Sequence, residues 1–167
     1  NPNLYIVKAT VTDQSVFRTH SNPVPIQTVD EAQTLFGIRT ITVDSVRGLR
    51  INGKPVKLKG GCVHHDNGLL GAVSLYECEE RKIRKLKETG FNAVRTAHNP
   101  PSGALVEACD RLGMYIFDEA FDAWGMAKRT GDYNQYFAAL WEKDLTAFIK
   151  RDRVHPSVIM WSTGNEI

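Results

Sequence analysis

The rhythm of hydrophobic and polar positions changes about a third of the way along the chain. LYIVKATVTD (4–13) is β-branched and aromatic with partial alternation, and TLFGIRTITVD (34–44) is a second run of that kind. Both are predicted as strands. The segment SNPVPIQTVDEAQ (21–33) holds two prolines among polar residues and reads as loop or irregular edge. Two or three strands cannot stand alone as a sheet, so this part is expected to be the tail of a β-sandwich. In LRINGKPVKL (49–58), Asn52-Gly53 separates two apolar-patterned runs. That pair predicts a tight hairpin, whose central residues both need positive φ.

From about Val56 short apolar runs alternate with longer amphipathic ones. The short runs VKLKGGCV, FNAVRT, MYIFDEA and SVIMWST read as strands. Between them, YECEERKIRKLKETG places Ile83 and Leu86 on one face and stops at Gly90. GALVEACDRLG stops at Gly113, and NQYFAALWEKDLTAFIKRDRVHP carries Phe137, Leu140, Trp141, Leu145 and Phe148 at helical spacing. These are helices by period and by stop signal. Short strands joined by helical crossovers imply a parallel sheet covered on both faces. An open doubly wound sheet and a (β/α)8 barrel both satisfy that. No GxGxxG or Walker pattern follows the first strand, so no nucleotide fold is indicated. Polar residues instead gather after every strand, as barrels arrange their chemistry. The expected class is α/β: the first half of a (β/α)8 barrel over 44–167, after sandwich strands over 1–43.

Composition changes little in this picture. The 167 residues are 42% hydrophobic and 24% charged with net charge +2, enough for a sizeable core. Nothing in that charge calls for a nucleic acid or membrane partner. No apolar run approaches the ~20 residues of a membrane span. The opening NPNLYIVKATVTD has neither the basic start nor the apolar stretch of a leader, and the compartment stays open. Cys62, Cys78 and Cys109 are odd in number and widely spaced, so free thiols are expected.

Asn165 and Glu166 stand at the end of the last strand. Glu166 reads either as a carboxylate at the positive end of a following helix or as a catalytic acid at a strand mouth. The Asn165 amide can donate to and accept from a sugar hydroxyl. His98 lies in a loop stiffened by Pro100-Pro101, and Arg95 at the strand end could orient acids. His64 and His65 are adjacent and point to opposite faces of a strand, so one faces a substrate rather than both sharing a metal. Of Asp118 and Glu119, one faces inward and the other outward. Trp124 is either a platform for a sugar ring or a buried ring, and Trp161 faces the same choice.

Four segments in order, INGKPVKLKGGCVHHD, FNAVRTAHNPP, MYIFDEAFDAWG and RDRVHPSVIMWSTGNEI, resemble glycoside hydrolase family 2. The resemblance spans nearly the whole chain. It implies that residues 1–43 end an immunoglobulin-like sandwich and that the rest begins the catalytic barrel of a retaining exo-β-glycosidase. By motif it implies Glu166 as general acid/base, Asn165 on the sugar 2-hydroxyl, His98 and His64 lining the pocket, and Arg95 supporting the acids. Asp118 matches an acidic position near the substrate. Retaining hydrolysis needs a second carboxylate about 5–5.5 Å away; in the family it is a strand-seven Glu, and no strand seven is in this sequence. The acid must hold its proton near neutral pH, so burial and that second carboxylate are expected around it. The loop DEAFDAWGM is one residue shorter than the magnesium-binding loop of well-known β-galactosidases and lacks its Glu and His, so no cofactor is expected. HHDNGLLGA and DEAFDAW resemble β-galactosidases of large bacterial multidomain enzymes. WSTGNE is similar to β-galactosidases more than to β-glucuronidases, so the implied partner is a β-galactoside. A β-glucuronidase, a non-catalytic carbohydrate-binding module and a metal-dependent hydrolase on His64, His98 and Asp118 are the competing readings. Open strand edges predict self-association of a half barrel.

Overall fold

A computed structural model describes residues 2–13 and 27–167. β1 (Tyr5–Asp13) and β2 (Gln27–Phe36) form a two-stranded antiparallel ribbon. It leaves Ile6, Val7, Val11 and Val29 exposed. β2 corrects the loop expected over 21–33, because Gln27 to Gln33 pair with β1; residues 21–26 lie outside the described residues. It also breaks the run 34–44, which was expected as one strand. Thr34–Phe36 finish β2, and the chain leaves the strand at Gly37. A Cβ there would sit 2.5 Å from the Pro156 ring, so only glycine lets the chain pack against the start of the last strand.

β3 (Ile41–Asp44), β4 (Gly48–Ile51) and β5 (Lys54–Pro55) make a second antiparallel sheet. The β4–β5 turn has Asn52 at φ 52° and Gly53 at φ 75°, the left-handed pair that the sequence predicted.

β6 (Gly60–Val63), β7 (Ala93–Thr96), β8 (Tyr115–Glu119) and β9 (Val158–Ser162) form a parallel sheet in chain order. The crossovers are α1 (Tyr76–Glu88), α2 (Gly103–Leu112) and α3 (Asn134–Asp152). α2 begins where Ser102 Oγ accepts the Leu105 N–H at 3.2 Å and ends at Gly113 with φ 71°. Ile83, Val94, Val106, Cys109, Met114, Ile116 and Val158 form the core between sheet and helices. Ala120, Phe121 and Phe148 form a second cluster nearer the strand ends. The strand expected over 56–63 is only its last four residues. All three cysteines are free thiols.

Strand phase positions the site. Val94 and Ile116 belong to the helix-facing core, so Thr96 and Asp118 share that face by the period of two. Arg95, Phe117 and Glu119 therefore take the opposite, inner face. β9 keeps phase through a bulge: Val158 pairs with Ile116 but Met160 with Phe117, leaving Ile159 as an extra residue. The bulge sends Trp161 outward, edge-on to Phe148 at 5.2 Å. Ser162 turns inward, opposite Glu119.

Candidate active site

The inner face converges on Glu119, a side chain with no solvent exposure. Its carboxylate accepts from Arg95 Nε at 2.9 Å and from Arg95 NH2 at 2.7 Å. It also accepts from Ser162 Oγ at 2.8 Å and faces His98 Nδ1 at 2.8 Å. Burial works against its charge, but the bonds from His98, Ser162 and Arg95 outweigh it and hold its pKa below the usual Glu value. The same bonds push Arg95 further into its charged form. With Nδ1 engaged by Glu119, the ring nitrogen of His98 that remains for a ligand is Nε2.

Arg95 NH2 also donates to Asn165 Oδ1 at 2.9 Å, and Asn165 Nδ2 donates to Asp122 Oδ1 at 3.0 Å. Asn165 N bonds Phe121 O at 3.0 Å. The Asn165 side chain thus keeps one N–H and one lone pair for a ligand. Lys128 reaches over from the loop after β8, with Nζ 2.7 Å from Asp122 Oδ1 and 3.2 Å from Glu166 Oε2. That contact lowers the pKa of Asp122 and raises that of Lys128. Glu166 sits at φ 50°, with its side chain 76% exposed. Glu166, Asn165, His98, Asp122, Lys128 and Asp132 border a cleft of about 570 Å³. A second cavity of about 550 Å³ opens toward α3 and shares His98, Asp122 and Asp132 with the first. Its other walls include Phe121, Tyr133, Leu145 and Phe148 together with Asp144 and Arg151, whereas Glu166, Asn165 and Lys128 border the first.

Of the residues expected at the site, Glu166, Asn165, His98 and Arg95 come together. His64 joins them, its ring edge-on to His98 at 5.3 Å. Asp118 does not join. It is fully buried on the helix-facing side, where Thr96 Oγ1 donates to it at 3.3 Å. Trp124 stacks on Phe137 at 5.9 Å and donates Nε1–H to Thr163 O at 2.9 Å; it does not line the cleft. The burial expected around Glu166 is absent among the described residues: its side chain is 76% exposed, sharing an open cleft with His98, Asp122, Asn165 and the Lys128 loop. Sequence reasoning missed Glu119, Ser162 and Lys128 as site residues. A signal for Glu119 existed: Met114 and Ile116 mark the core face of MYIFDEA, which puts Asp118 on that face and Glu119 opposite.

Residues 42–167 match the family model described as glycosyl hydrolases family 2, TIM barrel domain. The beta-galactosidase BoGH2A of Bacteroides ovatus is 48% identical over 139 residues, 83% of this chain and 16% of that protein. The crystal structure of a glycosyl hydrolase family 2 member from Bacteroides cellulosilyticus superposes with TM-score 0.87 at 51% identity, covering 98% of this chain and 20% of that one. The Bacteroides uniformis beta-glucuronidase structure gives TM-score 0.77 at 30% identity over 98% of this chain and 18% of that one. The chain therefore spans about a fifth or less of these relatives.

Proposed function

Because the chain belongs to glycosyl hydrolase family 2, we propose that it carries the acid/base half of a retaining exo-glycosidase site acting on terminal β-galactosides. The observation that carries this reading is Asn165-Glu166 at the mouth of a strand, with Asn165 held by Arg95 and Asp122 beside the outward-facing imidazole of His98. Glu166 protonates the glycosidic oxygen as the bond to the leaving group breaks, then takes a proton from the water that releases the sugar. His98 Nε2 and the spare Asn165 groups hold ring hydroxyls, with His64 behind His98. Glu119 is not the nucleophile. Both its oxygens are engaged by Arg95, His98 and Ser162 with no exposure, so it cannot approach an anomeric carbon. The nucleophile is a second carboxylate from outside residues 1–167, about 5–5.5 Å from Glu166, and the wall that carries it also buries Glu166. The reading needs no cofactor.

Under the same reading residues 1–43 close an immunoglobulin-like sandwich, and the parallel sheet is the first half of an eight-stranded barrel. Among the described residues β6 and β9 are each paired on one side only, so chain 1–167 alone self-associates through these edges. A clean monomer by light scattering at high concentration would overturn that.

The galactoside assignment is tested on the full-length protein with chromogenic β-galactoside and β-glucuronide. The expected result is preference for the galactoside and a fall in turnover of about 10²–10⁴-fold in Glu166→Gln. Preference for the glucuronide overturns the sugar. Unchanged turnover in Glu166→Gln overturns the acid/base.

A further inference from the structure

β8 ends in two adjacent carboxylates, Asp118 and Glu119, both without solvent exposure, and only Glu119 faces the site described above. Asp118 lies on the opposite face. Thr96 Oγ1 donates to Asp118 Oδ1 at 3.3 Å and accepts the Glu119 N–H at 2.9 Å. The other oxygen, Asp118 Oδ2, is buried and has no donor among the described residues. The Asp118 carboxyl interacts with that of Asp152 of α3, which is also fully buried. Asp152 in turn accepts from Arg151 Nε and NH2, each at 2.5 Å. Arg151 NH2 donates as well to Pro101 O at 2.8 Å, in the loop that carries His98.

Two ionised carboxylates in contact in a dry interior repel each other and forgo their hydration, and one guanidinium neutralises only one of them. The unpartnered oxygen and the second carboxylate solve each other if one proton lies between them. We propose that Asp118 and Asp152 share a single proton, carried on Asp118 Oδ2 and donated to Asp152, and that this buried acid pair positions Glu119 and the His98 loop from behind the strand ends. The pair closes a ring of contacts. One arm runs through Thr96 to the Glu119 backbone, whose carboxylate holds Arg95 and His98. The other runs through Asp152 and Arg151 to Pro101, three residues after His98. Asp118 and Asp152 are thus positioning residues that touch no substrate.

The groups facing the pair agree with this. Arg151 supports Asp152 from α3, and His155, bonded to Asp110, adds charge near Asp152. On α2, Cys109 is fully buried and burial pushes its thiol well up, so it stays neutral. Burial first, and Asp152 second, raise Asp118 to about 7. Near neutral pH the shared proton therefore stands close to its point of loss. Losing it leaves two anions face to face; the α3 end parts from β8, and Arg151 leaves Pro101.

The activity readout rests on the glycosidase reading, whereas the proton itself does not. The experiment uses the full-length protein. An infrared spectrum with ¹³C-labelled aspartate should show a protonated carboxyl C=O band at neutral pH that disappears as pH rises and is missing from Asp118→Asn. That substitution keeps the shape and donor of the neutral acid. It should follow the wild type in acid and move the alkaline fall of kcat/KM upward by about one pH unit or more. Absence of the carboxyl band overturns the shared proton. An alkaline limb unmoved in a folded Asp118→Asn overturns the positioning role. Where that variant does not fold, the wild-type pH series alone decides the proton. A protein that hydrolyses neither glycoside sinks the glycosidase reading and leaves the band to decide this one.

Discussion

The two faces of the strand ends are built from alternate residues of the same strands, yet they treat charge in opposite ways. On the inner face Glu119 is surrounded by donors and is held ionised. On the outer face Asp118 meets one hydroxyl and another carboxylate and is pushed up to about 7. Both side chains are fully buried and burial opposes the charge of each; around Glu119 the donors outweigh it, whereas beside Asp118 the Asp152 carboxylate adds to it. The consequence for pH is opposite in sign. Glu119 binds fewer protons in the folded chain than unfolded, so its contribution is present above the ordinary Glu value of 4.5 and is lost as pH falls through its lowered value. Asp118 binds more. Its contribution is full below the ordinary 3.8 and is lost as pH climbs toward about 7. The site is thus undermined from the inside in acid and from the outside toward alkali.

The strongest way to break this contrast is Glu119→Gln. It leaves the Arg95 guanidinium in a half-buried site without its carboxylate, and breaking such a pair costs about 3–5 kcal/mol. His98 and Asn165 lose their shared anchor, and a shift of ~1 Å at a catalytic group costs on the order of 10²-fold in rate. Melting and steady-state kinetics of the full-length protein check both; a variant with wild-type kcat/KM would remove Glu119 from the site. Gly60→Ala comes next. An added Cβ would meet the Ala93 carbonyl oxygen at 2.4 Å, forcing β6 off β7 at a cost of about 1–3 kcal/mol. The inner face then loses the His64–His98 contact while the outer face keeps Asp118 on Thr96. Activity should fall while the buried carboxyl band persists.

The outer face offers a sharper test at smaller cost. His155 Nδ1 lies 2.6 Å from Asp110 Oδ2, and that contact raises the His155 pKa above 6.5. Its contribution is fully present below 6.5 and fades as pH rises through the raised value. His155→Gln should therefore lower the melting temperature in mild acid and leave it nearly unchanged in alkali, a loss of about 1–2 kcal/mol. A deficit equal at both ends would mean that the pair does not titrate.

How much of this the sequence carried depends on what each feature requires. The hairpin at Asn52-Gly53 and the helix stops at Gly90 and Gly113 were readable because they are local, set by φ that favours glycine or asparagine. The four-strand texture followed from period and length. β2 was not readable, since QTVDEAQ is mostly polar and its pairing with β1 leaves it exposed; among the described residues no burial pattern marks it. Arg95, His98 and Asn165 were named from the motifs of the resemblance, and the structure brings the three side chains to one face. Asp118 went to the wrong face because two acidic residues in a row give no periodicity of their own, and only Met114 and Ile116 before them fix the phase. Lys128 was invisible because the loop after β8 brings it to Asp122 and Glu166 without any sequence period.

Trp124 gives the smallest effect and separates two roles that the sequence left open. A sugar platform needs a free aromatic face on the cleft. Here one face of the indole is taken by Phe137 and the N–H by Thr163 O. Gly164 makes room for it, since a Cβ there would lie 2.9 Å from Trp124 Nε1. The ring therefore ties the loop after β8 to the loop carrying Asn165. Trp124→Phe keeps an aromatic stack and loses one hydrogen bond, a change of about 0.5–1.5 kcal/mol. With a tether, kcat falls slightly and KM for a galactoside stays within about twofold, because the loop shifts without any loss of sugar contact. With a platform, KM rises and kcat holds. A KM increase well beyond that in the full-length protein would return Trp124 to the sugar.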